Sequence, residues 1–156
     1  MKDKKKLSKV LRFIPAIVIM ILIFAFSCKQ GDESSEQSGR LLMAIVKVVE
    51  SISKSEMSAA LLAFLHLFIR KVAHFTEYAA LGAAFFYGVG PLLKSVKKGI
   101  PISLIMAAVY ATTDEIHQYF VPGRYGTWTD VLIDSCGALA GIVIFYFVVY
   151  SHHGEH

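Results

Sequence analysis

The chain is poor in cysteine and lacks the common nucleophile and zinc motifs. Only Cys28 and Cys136 occur among its 156 residues, too few for a disulfide framework and without the spacing of metal ligands. Neither a G-x-S-x-G nor an H-E-x-x-H pattern is present. These absences disfavour a disulfide-rich domain, a serine-nucleophile route and a typical zinc peptidase. We expect both cysteines to behave as small, buried apolar side chains.

Charged residues are also scarce, and they do not form a polar surface. They make up 18% of the chain, whereas hydrophobic residues make up 55% and the mean hydropathy is +0.55, which is too apolar for an ordinary soluble domain. The net charge is +4, but the basic residues lie beside apolar runs, which favours topology signals and anionic lipid over a nucleic-acid partner. We therefore predict a single all-α domain over residues 1–156, an integral membrane four-helix bundle with an additional amphipathic helical segment on its outer face.

Four apolar runs predict membrane spans, over about residues 10–27, 71–89, 101–120 and 131–150. A basic N-terminus precedes the first run, and a basic stretch at residues 94–98 follows the second, so both are expected in the cytoplasm. Pro91 is expected to end the second span and Pro101 to open the third, where proline has no N–H to lose. Both termini are then cytoplasmic, and residues 28–70 are extracytoplasmic.

The extracytoplasmic segment contains two further apolar stretches. Helical spacing relates Leu41, Ile45, Val48, Val49 and Ile52, which predicts an amphipathic helix lying on the membrane or packed over the bundle. Residues 59–69 are strongly apolar, but one straight helix from there to residue 93 would be about 50 Å long, much more than a hydrocarbon core of about 30 Å. We therefore expect residues 59–69 to be interfacial or re-entrant.

Ionisable residues interrupt the apolar runs near the predicted outer surface. Arg70, His74, Glu77 and Tyr78 share one helix face because they are three or four residues apart. At a rise of about 1.5 Å per residue, Glu77 on the second span and Asp114 on the third both lie about 10 Å below the outer boundary. Since charges are costly in lipid unless they face a bundle interior, we predict one polar site at this depth.

The predicted site contains two groups of residues. Its candidate acid/base residues are His74, Glu77, Asp114, His117, Asp130 and Asp134. Its candidate substrate-binding residues are Arg70, Lys71, Glu115, Gln118 and Arg124. Tyr78, Tyr119 and Trp128 are interpreted as aromatic anchors at the membrane interface.

Two stretches of the sequence resemble a known family. RKVAHFTEYAALG, followed by DEIHQYFVPGRYGTWTDVLIDSCGALAG, is similar to the VanZ-like membrane family, whose pattern combines R-K-x-x-H-F-x-E-Y, D-E-x-H-Q-x-F and an arginine followed by D-x-x-x-D-x-x-G. The similarity extends from Arg70 to about Gly141, and Cys28 stands where the family tends to have serine. The resemblance implies a small helical membrane protein, linked in some members to low-level teicoplanin resistance, and implies no settled reaction.

Several functions are compatible with this pattern. An enzyme would use His74 or His117 as acid or base and an arginine to hold an anionic group of a lipid, a lipid-linked envelope molecule or a lipoglycopeptide. A site of the same composition could bind such a molecule without chemistry, or the charges could form a structural ion-pair network. The surplus of acids over cations favours a working site.

Two accessory features are less informative. His74 with Glu77, and Asp114 with His117, have the i, i+3 spacing of bundle metal ligands, but spacing alone is weak evidence, so no metal is assigned and the cofactor stays unspecified. Gly137 and Gly141 form a G-x-x-x-G pattern, which we expect to serve packing within the chain, so that oligomerisation is not indicated.

Overall fold

The computed structural model describes residues 8–28, 39, 42–49, 51, 57–93, 95–124 and 126–151. Its four long helices are α1 (Ile14–Ser27), α2 (Ala59–Leu93), α3 (Val96–Tyr119) and α4 (Trp128–Ser151). Shorter helical pieces cover residues 8–11 and 42–49, and no strand occurs within the described ranges. The predicted all-helical class is therefore confirmed for this part of the chain.

Helix α1 presents most of its surface to the surroundings of the protein. Pro15 lies in its first turn, where a missing backbone N–H costs no helical hydrogen bond. Large apolar side chains such as Ile17, Ile21 and Phe24 are exposed, whereas Ala16 and Ile23 are buried against the rest of the fold. An apolar exposed surface of this kind is suited to lipid rather than water.

Helices α2 and α4 approach closely where α4 carries glycine. A Cβ atom at Gly137 would collide with the carbonyl oxygen of Phe75, and one at Gly141 would collide with that of Ala79. Small residues allow such backbone contact between membrane helices, where the hydrophobic effect does not drive association. The prediction that Gly137 and Gly141 serve packing within the chain is confirmed.

Helix α3 begins earlier than the proline pattern predicted. It starts at Val96, so that Pro101 lies inside the helix instead of opening it. Pro91 likewise lies inside α2, which continues to Leu93. Both prolines are near a helix end, where the loss of one backbone hydrogen bond is tolerated, and neither marks the helix boundary.

The long helix α2 also differs from expectation at its beginning. It runs without interruption from Ala59 through Arg70, so the apolar stretch 59–69 is not a separate re-entrant element. Phe64 and Phe68 on this stretch are exposed and stack on each other with ring centroids 6.2 Å apart. The position at which a membrane boundary crosses α2 stays a prediction.

Residues 42–49 are helical, but the predicted amphipathic face of this segment is not the side that packs. Leu42 and Val46 are buried, whereas Ile45, Val48 and Val49, which were expected to form the apolar face, are exposed. Their exposure is compatible with contact to lipid and rules out packing of that face over the described part of the protein. Leu41 and Ile52 lie outside the described residues.

Three of the described helices are long and apolar enough to cross a membrane by length and composition. They cover Ser8–Ser27, Ala59–Leu93 and Trp128–Val149. Helix α3 is not among them, and it carries Lys97, Lys98, Asp114 and Glu115. Three parts of the topology prediction lie outside the described residues. They are the basic residues before residue 8, the polar segment 29–38, and Lys94 of the second basic stretch.

Candidate functional site

The predicted polar residues occupy one end of the helices. Helix α2 packs against α1, α3 and α4. Side-chain contacts join the end of α3 to the end of α1, and the middle of α2 to the start of α4. Side-chain contacts that cross between these elements include Gln118 to Ser27, His74 to Asp134 and Lys71 to Asp130. The fold thereby gathers, at one end, residues that lie far apart in the sequence.

The centre of this end consists of His74 from α2, Glu115 from α3 and Asp134 from α4. One ligand-type atom from each of the three lies within 4.8 Å of the others. His74 Nδ1 is 3.6 Å from Asp134 Oδ1, and the side chain of Asp134 is 0% exposed. We call these three residues the His/acid centre.

Several polar atoms in and around the His/acid centre are buried without a hydrogen-bond partner. They are Nδ1 of His74, both carboxylate oxygens of Asp134, Oε1 of Glu115, Oδ1 of Asp114, Nε of Arg124 and the hydroxyl of Tyr78. Buried polar atoms are nearly always hydrogen-bonded in proteins, because an unpaired one loses its interaction with water without compensation. Their concentration at one place leaves several donors and acceptors available to water or to a ligand.

Asp114 is held in place by a short chain of hydrogen bonds to α1. The Gln118 amide donates to Asp114 Oδ2 at 3.0 Å and to Ser27 Oγ at 3.3 Å. All three side chains are buried. The contact fixes one oxygen of Asp114 and leaves the other without a partner.

Arg124 brings a buried positive charge to the same end from the loop between α3 and α4. Gly123 has a φ of 75°, a left-handed conformation that lets the chain turn back after α3. The guanidinium donates to the carbonyl oxygen of Phe26 at 2.9 Å, and the residue is 7% exposed. Burial lowers the pKa of Arg124, the nearby charge of Arg70 lowers it further, and Asp114, Glu115 and Glu77 oppose the shift. Arg124 therefore interacts electrostatically with three acids and with a second cation.

The same loop orients Glu115. The backbone N–H of Thr127 donates to Glu115 Oε2 at 2.8 Å, while Oε1 of the same carboxylate has no partner. Helix α3 thus presents one fixed and one available carboxylate oxygen. Proteins commonly orient a carboxylate by a hydrogen bond to one of its oxygens, here Oε2, which leaves the other, Oε1, free to meet a ligand.

Glu77 and the Lys71–Asp130 pair lie at the edge of the His/acid centre. Glu77 is half-buried and near enough to interact electrostatically with His74, Asp114, Asp134 and Arg124. Lys71 donates to Asp130, and the exposed fractions of their side chains are 43% and 21%. This pair is more open to the surroundings than the centre, so it contributes little to the buried charge balance.

His117 contacts the end of α1. Its Nε2 is 3.5 Å from Cys28 Sγ, and its ring centroid is 4.9 Å from that of Phe24. The prediction that both cysteines are buried is wrong, because Cys28 and Cys136 are exposed. Cys28 closes the end of an apolar helix beside a histidine, and Cys136 lies on a side of α4 that faces away from the core.

Tyr78 and Ser27 are parts of this region that sequence reasoning did not assign to the site. Tyr78 was interpreted as an interface anchor, but it is 0% exposed and its ring lies 6.2 Å from that of Tyr110. The signal that could have identified it is its place four residues after His74 on the same helix face. Tyr119 and Trp128, by contrast, are exposed, as an anchor would be.

Comparison with known proteins gives a family and no closer relative. A family model described as VanZ/LLP1 matches residues 12–149. The match includes α1 and the segment before α2, and so reaches well beyond the motifs between Arg70 and Gly141. Neither the curated proteins nor the solved structures include a significant match.

Proposed function

The chain belongs to the VanZ/LLP1 family, and on that premise we propose that it binds an anionic lipid of the cell envelope at its outer face and acts on the headgroup. The same site would accept the anionic groups of a lipid-linked precursor or of a lipoglycopeptide. Low-level resistance to teicoplanin, which the family resemblance implies, is the phenotype we expect from this activity.

The proposed topology has four membrane spans with both termini in the cytoplasm. The three apolar helices supply three spans, and α3 supplies the fourth, because its charged residues Asp114 and Glu115 face the fold and are buried. Residues 28–70 are then extracytoplasmic, and the exposed apolar side chains of 42–49 rest on the outer leaflet. The polar end of the helices therefore opens toward the outer surface.

The observation that carries the proposal is the set of buried, unpartnered polar atoms around the His/acid centre. A network that only tied helices together would be expected to satisfy its own donors and acceptors. Arg124 keeps an unpartnered Nε donor beside Arg70, which suits an arriving phosphate or carboxylate. The acids opposite these cations suit proton transfer to or from the bound group.

Glu77 is the residue to which we assign the proton transfer. It is half-buried, so it can exchange protons with the surroundings, and it interacts electrostatically with His74 and Arg124. A carboxyl group that can both accept and donate a proton is the kind of side chain that acid/base chemistry requires. The sequence has no G-x-S-x-G motif, which disfavours a serine nucleophile. We therefore propose that an activated water or hydroxyl attacks the headgroup.

A structural role is the second candidate, and specific contacts favour it. Gln118 joins α3 to α1 through Ser27, and Arg124 joins the α3–α4 loop to α1 through the Phe26 carbonyl. On this hypothesis the charges hold the helices together and no substrate is involved. The proposed activity changes the headgroup of an envelope lipid, whereas a purely structural role leaves envelope lipids unchanged.

The direct test is mass spectrometry of envelope lipids from cells that contain or lack the protein. We expect the abundance or headgroup modification of an anionic lipid to differ between the two, together with teicoplanin susceptibility. An unchanged lipid profile together with unchanged susceptibility, at verified expression of the protein, would refute the proposed function and leave the structural role.

The topology can be tested with the native cysteines. In a Cys136→Ser background, Cys28 is the single cysteine, and a membrane-impermeant maleimide added to intact cells should label it because it ends α1 on the outer side. A Cys28→Ser, Cys136→Ser protein is the matched control for background labelling. If Cys28 is labelled only after the cells are permeabilised, the proposed orientation is wrong.

A further inference from the structure

We propose that His74, Glu115 and Asp134 bind a divalent transition-metal ion, of the zinc or manganese type. This goes beyond the proposed function, since the ion would bind in the absence of any lipid. The inference rests on two observations. Three donor side chains from three helices converge, and their donor atoms are buried without hydrogen-bond partners.

The distances fit a shared ion better than direct pairing. His74 Nδ1 and Asp134 Oδ1 are 3.6 Å apart, too far for a hydrogen bond. Two donors that each lie about 2.1 Å from a metal, at a tetrahedral angle, are about 3.4 Å from each other. Glu115 completes a set in which no two ligand atoms are more than 4.8 Å apart, so a small inward movement of side chains closes it.

The unpartnered atoms are an independent indication. Asp134 is 0% exposed and neither of its carboxylate oxygens is hydrogen-bonded, and Glu115 is 5% exposed with no hydrogen bond to Oε1. Leaving two carboxylates in this state is costly, because burial removes their hydration without replacing it. A divalent cation bound by both carboxylates would provide the missing partner of each.

The cations already present do not fill this place. Lys71 contacts Asp130 at the edge, and Arg124 directs its described hydrogen bond to the Phe26 carbonyl. Glu115 is in addition held by the Thr127 N–H on its other oxygen, which is how an outer partner orients a metal ligand. A doubly charged ion between His74, Glu115 and Asp134 balances both carboxylates.

The donor set limits the kind of ion. One imidazole nitrogen with two carboxylates suits Zn²⁺ or Mn²⁺ better than Mg²⁺ or Ca²⁺, which prefer oxygen ligands alone. Three protein ligands leave a coordination position for water or a headgroup oxygen, as in catalytic sites. Glu77, which is not one of the three ligands, then remains available for proton transfer.

The i, i+3 spacing in the sequence indicated different pairs of possible metal ligands. His74 with Glu77, and Asp114 with His117, are neighbours on a single helix, whereas the group that converges takes one residue from each of three helices. Ligands that converge between helices cannot be recognised by their spacing along one of them.

The test is metal binding by the purified full-length protein in detergent, in a His152→Ala, His153→Ala, His156→Ala background that removes tail histidines. After treatment with a chelator and equilibration with Zn²⁺ or Mn²⁺, we expect about one ion per chain and a higher melting temperature. Glu115→Gln and Asp134→Asn should each lower the affinity at least tenfold. Asp130→Asn, a change of the same kind at the edge, should retain the ion.

A spectroscopic measurement on the unmutated centre covers the case in which a variant fails to fold. X-ray absorption of the Zn²⁺-loaded protein should show one imidazole and oxygen ligands at about 2.0–2.2 Å. Sulfur ligands, two or more imidazoles, no bound ion, or equal retention by Glu115→Gln and Asp134→Asn would each overturn the proposal. Because no lipid is added, this failure would leave the headgroup proposal untouched, and an unchanged lipid profile would leave metal binding untouched.

Discussion

Replacing Glu77 with glutamine is expected to lower the rate of the proposed headgroup reaction by about 10²- to 10⁴-fold and so to abolish the lipid and resistance phenotypes, while the protein still inserts and accumulates at the wild-type level. Glutamine keeps the shape of the side chain but cannot carry a proton. Glu77 is half-buried and at the edge of the His/acid centre, so the fold should survive the change. The measurement is the lipid profile and teicoplanin susceptibility at matched protein levels.

Thr76→Val is the matched control for Glu77→Gln. Thr76 is the preceding residue on α2, is exposed, and bonds only to the backbone oxygen of Val72 within its own helix. We expect this variant to behave as the wild type. Glu77→Asp adds a second comparison, because a site that only binds should retain most of its function, whereas a positioned acid/base group should lose much of it. Normal activity of Glu77→Gln would contradict the assignment.

Replacing Arg124 with alanine is expected to destabilise the protein by about 3–5 kcal/mol, the usual cost of removing one partner from a buried set of charges. Arg124 is 7% exposed and interacts electrostatically with Asp114, Glu115 and Glu77, which would lose a buried positive charge. The hydrogen bond to the Phe26 carbonyl would be lost as well. Thermal unfolding of the purified protein in detergent measures the effect.

Arg12→Ala is the control for the loss of an arginine. The Arg12 guanidinium lies 5.5 Å from the centroid of the Tyr87 ring, far along the chain from the polar end, and such a contact contributes about 0.5–1 kcal/mol. Arg124→Lys should fall between wild type and alanine, since lysine keeps the charge but not the forked geometry. Equal, small losses of stability in Arg124→Ala and Arg12→Ala would show that Arg124 does not balance the acids.

Local features of the chain were predictable from sequence because they depend on neighbouring residues. The helical class, the shared face of Arg70, His74, Glu77 and Tyr78, and the packing role of Gly137 and Gly141 follow from apolar length and a 3.6-residue period. The family resemblance also followed from short motifs. Helix ends were less predictable, because Pro91 and Pro101 are both accommodated within helices.

Burial required the tertiary structure. The usual tendencies of the residue types predicted buried cysteines and an interfacial Tyr78, whereas Cys28 and Cys136 are exposed and Tyr78 is enclosed. A helix surrounded by lipid can be apolar on every side, so composition does not tell which side meets protein. The same reason explains why Ile45 and Val48 are exposed while Leu42 and Val46 pack.

The sequence by itself determined that this protein is helical and has helices apolar enough for a membrane, and it predicted that His74, Glu77 and Asp114 lie at a similar depth. Only the tertiary structure decided that His74 meets Glu115 and Asp134, that Arg124 turns in from a loop, and that His117 faces Cys28. The physical reason is that spacing sets which residues share a face of one helix, while the rotation of that face toward another helix is set by packing. Here the backbone contacts that glycines in α4 make with α2 decide it.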